Sequence, residues 1–262
     1  MNDSERPFKR LRIFNLVMGM FHLLQGIAML MLSNDYSFTI TTSFLKWNQI
    51  LNRPINTSED LFSFRAGPVI AGFLFLSSFA HFIIASPGVY EWYVNNLKSK
   101  INIARWLEYS LSASLMIVVI AMLSGMLDAP SLILLFSLNA MMLLFGWMME
   151  LHNQTTQKTN WTAFIFGSIA GIVPWIIIAW YFFTAINSVD NKTDETIPTF
   201  VYFILGSLFI FFNIFAVNMF LQYKKIGPWK NYLFGEYMYI VLSLVAKSLL
   251  AWQVFFGTLR PQ

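Results

Sequence analysis

Lys247 lies in Ser243-Leu-Val-Ala-Lys-Ser-Leu-Leu-Ala251, a stretch with no other charge. An ammonium in such surroundings must lose its proton, meet a carboxylate or be chemically converted. A plain Lys–Glu ion pair is one outcome. The other is a Schiff base, because a desolvated lysine condenses readily with a carbonyl. Glu108 is the candidate carboxylate. Ser112 follows Glu108 by four residues and Ser243 precedes Lys247 by four, so each shares a helix face with its charged neighbour. Both are candidate partners of the pair, although serine in an apolar helix also bonds its own backbone. His22, His81 and Glu150 form a second group, a polar cluster able to receive a proton. Alternatively, His22 and Glu150 sit at headgroup level. Glu236 is expected to face the interface.

The elements that must position these groups are apolar. Of 262 residues, 57% are hydrophobic and 11% charged, against about 25% charged in soluble domains. Mean hydropathy is +0.59. These values exclude a water-soluble globule and disorder. Cysteine is absent, which excludes disulfides, thiolate metal sites and a cysteine nucleophile. A spanning helix needs roughly 20 apolar residues. Seven runs qualify, over 13–32, 66–86, 101–123, 130–151, 161–187, 197–223 and 231–256. The first is too long for a cleavable signal core. Pro174 should kink the fifth. The chain is therefore expected to be a single all-α domain over 1–262, a seven-helix bundle. Residues 33–65 form its long first loop. Within it, Tyr36 to Phe44 alternates and is rich in Thr and aromatics, which predicts a small hairpin outside the bilayer. Such a hairpin either caps the bundle or pairs with another subunit.

Charge placement gives orientation. Of the 17 cations, the N-terminal segment and even-numbered connections hold Arg6, Lys9, Arg10, Arg12, Lys98, Lys100, Arg105, Lys158, Lys224, Lys225 and Lys230. The opposite side holds Lys46, Arg53, Arg65, Lys192 and Arg260, with most of the acids. The positive-inside rule then places the N-terminus in the cytoplasm and the C-terminus outside. The net charge of +4 thus reports topology and possible contact with anionic lipid, and no nucleic-acid partner is expected. This polarity is inverted relative to the familiar seven-helix receptors and ion-pumping rhodopsins.

In that inverted topology, the chain resembles the heliorhodopsins along essentially its whole length. The resemblance rests on the long first extracellular loop with strand character, on Arg105-Trp-Leu-Glu-Tyr-Ser110, on Ser243-x-x-x-Lys247 and on the paired histidines. It implies all-trans retinal bound covalently to Lys247, with Glu108 as counterion. It further implies Ser112, Ser243 and Ser78 near the Schiff base, and His22 and His81 in a cavity on the cytoplasmic side. A homodimer with contacts from the first loop is also implied. A polyene needs an apolar, aromatic slot. Candidates to line it are Asn139, Met142 and Gly146 in the fourth run, Pro174 and Trp175 in the fifth, and Phe209, Phe212 and Asn213 in the sixth.

A pump needs proton acceptors and donors on both sides of the nitrogen. No carboxylate lies between Lys247 and the outer face, since Asp128 and Asp190 fall in loops. The expected function is light sensing in the cell membrane without ion pumping and without enzymatic activity, signalling to a partner the sequence does not name. A light-gated proton channel on the same scaffold is one alternative. The other is a seven-helix zinc hydrolase, which would need about three converging ligands. The chain has three histidines with no His-x-x-x-His pair, and no metal is expected.

Overall fold

The computed structural model describes residues 5–188 and 199–260. The start of the run expected at 197, and the loop charges Asp190, Lys192, Asp194 and Glu195, lie outside them. Among the described residues there are eight α-helices, seven of them long and apolar enough to cross a membrane. They are α1 (Arg6–Leu32), α2 (Ala66–Ala85), the short α3 (Val89–Lys98), α4 (Ile103–Leu123), α5 (Ala129–His152), α6 (Thr162–Ser188), α7 (Thr199–Lys224) and α8 (Tyr232–Val254). A π-helical turn, Phe255–Leu259, extends α8.

The helix starts follow from local chemistry. Asn102, Asp128 and Asn231 cap α4, α5 and α8, each side chain accepting a backbone N–H from the first turn. The third membrane run has a sharper start than the sequence reading allowed. Pro87-Gly88 ends the α2 segment, with Gly88 at φ +84. The amphipathic α3 follows, and Lys100 at φ +59 breaks the chain again before α4. Glu108 therefore stands in the second turn of its helix.

α4 is the most buried of the spans and packs against α2, α5, α6 and α7. α8 closes the bundle between α7 and α1. α6 and α7 meet through aromatic rings: Trp175 lies edge-on to Phe209 and Phe212 at 5.4 and 5.3 Å, and Phe182 to Tyr202 at 4.8 Å. Pro174 sits inside α6.

The first loop is an antiparallel hairpin of β1 (Ser37–Asn48) and β2 (Arg53–Arg65), with a bulge opposite Ile40 and Thr41 that leaves Leu61 unpaired. Its near half caps the bundle. Phe38 and Ile40 are buried in the main apolar core, Thr41 N–H donates to the Leu127 carbonyl at 2.9 Å, and Ser43 N–H donates to Asp128 at 3.2 Å. Its far half exposes Leu45, Trp47, Ile50 and Leu51.

Asp128 thus joins a helix cap to the hairpin. The Ser131 hydroxyl, together with the Ser131 and Ser43 backbone N–H groups, holds its carboxyl below the usual aspartate range. A depressed value contributes stability above that range and loses it as pH falls through the lowered value. Asp128→Ala is expected to cost about 1 kcal/mol at neutral pH. In thermal unfolding curves, the difference from wild type should vanish on acidification.

Candidate functional site

Lys247 and Glu108 meet in the interior. Lys247 Nζ lies 2.8 Å from Glu108 Oε1, with side chains 3% and 10% exposed. The ammonium donates to Ser243 Oγ at 3.0 Å and to Ser77 Oγ. Its three N–H groups are thus all directed at oxygen. The Ser243 contact shows how the depths match. Lysine leans toward the start of its helix, so Nζ sits about a turn back from its own Cα and reaches the shallower Glu108. Ser77 also donates to Glu108 at 2.6 Å, and the Tyr109 ring lies 5.2 Å from Nζ. Ser112 is fully buried one turn after Glu108.

Ser77 was missed in the sequence. Its signal was its position four residues before His81, on the same face of α2. Ser78 is instead turned to α1, where its hydroxyl donates to the Gly19 carbonyl at 2.9 Å. The helix periodicity of 100° per residue separates the two neighbours.

Below the pair, the His22 and His81 rings stack at 5.6 Å, and His81 Nδ1 lies 2.7 Å from Asn15 Oδ1. His22 is fully buried, and its ring nitrogens have no hydrogen-bond partner among the described residues. Glu150 does not join them. It belongs to a separate cluster in which Arg105 forms ion pairs with both Glu150 and Glu236. Glu236 is 1% exposed, not at the interface. Arg105, counted above with the surface cations, is 6% exposed. One buried cation thus holds two buried carboxylates near one end of the bundle, which pairwise reading of single helices cannot show. Asn102 completes the cluster, donating from its backbone to Glu150 at 2.8 Å and from its side chain to Glu236 at 2.6 Å.

An apolar cleft starts at Lys247. Its first chamber is lined by Tyr109, Met116, Met142, Leu143, Phe212, Phe215 and Ala246 beside Ser243 and Lys247. A second chamber shares five of these residues and continues to Trp106, Gly146, Phe164 and Gly167. Of the residues expected to line a slot, Met142 and Phe212 face both chambers and Gly146 the second. Asn139 is buried against Ser114, 3.0 Å away. Asn213 is exposed and bonds the Phe209 carbonyl at 2.7 Å. Pro174, Trp175 and Phe209 line neither chamber. α7 is rotated so that Phe212 and Phe215 point inward.

The cleft fits a long apolar molecule attached at Lys247. Aromatic walls flank it, Lys247 is the one charged residue among its described lining residues, and Gly146 lets the Trp106 ring pack directly against α5. A Cβ there would meet the Trp106 ring. Among the described residues, no three His, Asp or Glu side chains converge as a metal site would require. His152 ends α5 on the exposed surface.

Seven apolar helices around a lysine–carboxylate pair at the head of an aromatic cleft define an integral membrane protein of the rhodopsin type. The heliorhodopsin family model matches residues 11–259, nearly the whole chain, and the chain belongs to that family. It is accordingly a retinal-binding, rhodopsin-like photoreceptor. No curated protein matches it.

Proposed function

We propose that Lys247 holds all-trans retinal as a protonated Schiff base, with Glu108 as its counterion, and that the protein is a light sensor that does not pump ions. The observation that carries this reading is the 2.8 Å Lys247–Glu108 pair at the head of an apolar cleft. Retinal, when bound, supplies light absorption and photoisomerisation. The protein's part is positional and electrostatic. Attachment leaves one N–H on the lysine nitrogen in place of three. Among Glu108, Ser77 and Ser243, the charged acceptor makes the strongest hydrogen bond. Ser77 orients the carboxylate, with Ser112 buried one turn further on, and Met142, Phe212 and Phe215 would flank the polyene. Glu108 holds the positive charge on the lysine nitrogen, so parting the two would favour release of a proton from that nitrogen. His81, which borders the inner cavity beside Asn15, and His22 stacked on it are nearby groups able to take that proton.

The absence of a carboxylate between Lys247 and the outer end of α8 in the sequence supports sensing over vectorial transport. The charge distribution supports a plasma-membrane orientation with the N-terminus in the cytoplasm. The exposed apolar far half of the hairpin supports a homodimer in which this loop contributes contacts. Illumination of cells expressing the protein in all-trans retinal is expected to give no steady pH change. A sustained change abolished by a protonophore would overturn the sensor reading. Photocurrents under voltage clamp would favour the proton channel.

A further inference from the structure

The Arg105–Glu150–Glu236 cluster plays no part in the chemistry proposed for Lys247, yet one side chain joins the two. Trp106 forms a wall of the second chamber, where its ring lies against Gly146. From the opposite edge, its indole N–H donates to Glu150 Oε2 at 2.7 Å. The Arg105 guanidinium lies 4.5 Å from the same ring and 3.8 Å from that of Tyr239. Glu150 faces the other way as well. It lines a polar vestibule with Lys100, Thr156 and Lys225 of three different interhelical connections. The lysine–carboxylate site borders a separate inner cavity that reaches Arg105 and Glu236 but not Glu150. The charge cluster therefore forms the partition between the inner cavity and the vestibule.

We propose that Trp106 is a positioning residue for signal output, carrying displacement in the cleft to Glu150 and so to the partition and the vestibule. This rests on the retinal-binding reading above. The physical basis is contact continuity. A close-packed interior has no slack to absorb a shape change beside the ring. The indole N–H is a hydrogen bond to a charged acceptor, about twice as strong as a neutral one. Displacing it alters the hydration and pairing of Glu150 without any change in the covalent structure of the cluster. Packed networks of this kind respond by switching between discrete arrangements.

Light-minus-dark infrared difference spectra test the coupling. Wild type is expected to show a carboxylate band that Glu150→Gln removes. Trp106→Phe keeps a ring in the wall and deletes the N–H donor. With difference spectra scaled to the amount of pigment that responds to light, the Glu150 band is expected to lose at least about half its amplitude. A Glu150 band of wild-type size in Trp106→Phe, or none in wild type, overturns the proposal. Should Trp106→Phe not fold, Gly146→Ala presses on the same ring from the cleft and is expected to shift the Glu150 band already in the dark; an unshifted band overturns the proposal. A wild type that stays colourless with retinal is a different failure, removing the retinal reading on which this one rests.

Discussion

With all-trans retinal, wild type is expected to develop a visible absorption band and Lys247→Ala none. Among the described residues, no other lysine borders the cleft, so deleting this amine deletes the proposed point of attachment. The substitution also strips Glu108 of its cation. Breaking one side of a buried pair costs about 3–5 kcal/mol, so loss of colour could be mistaken for loss of fold. The double variant Lys247→Ala/Glu108→Gln separates the two. It removes both charges, and replacing both members of a buried pair is far milder than removing one. It is expected to recover most of the thermal stability and to remain colourless. A double variant that takes on colour would place the attachment elsewhere.

Glu108→Gln alone is expected to move the band to longer wavelength. On the proposed attachment, the positive charge would sit near the nitrogen in the dark, where Glu108 would stabilise it; light absorption would shift that charge along the polyene, away from the carboxylate. The anion therefore lowers the dark state more than the excited one. At 2.8 Å, the Coulomb attraction is on the order of 6 kcal/mol for an effective dielectric of about 20, which bounds the shift. Gln keeps the size of Glu and can still accept from Ser77, so geometry changes little. Absorption spectra of the two proteins decide the matter, and an unchanged band would mean that Glu108 is not the counterion.

Much of this molecule was legible in its sequence because lipid imposes one-dimensional rules. Every backbone polar group at membrane depth must be satisfied within its own helix, so seven apolar runs translate directly into seven spans. The hairpin was legible from its alternation. Lys247 and Glu108 stood out because a charge in an apolar run is costly wherever the helix is placed. The same reasoning failed for Arg105, Glu150 and Glu236. Each lies within a turn or two of a helix end, where a charge can reach the interface and raises no alarm. Only packing of α4, α5 and α8 shows that all three turn inward.

The cleft lining was the least legible part. With 27 Phe, 14 Met and 9 Trp, nearly every helix face offers suitable walls, and composition cannot choose among them. The choice is made by helix rotation, a tertiary property: it turns Phe212 and Phe215 inward and leaves Asn213 in contact with the surroundings. It likewise selects Ser77 over Ser78. The sequence by itself determined the spans, the hairpin and the two costly charges, because these depend on the free energy of transferring single residues into lipid. The tertiary structure decided which groups share a cavity, because that depends on how each helix is rotated against its neighbours, and no single helix carries that information.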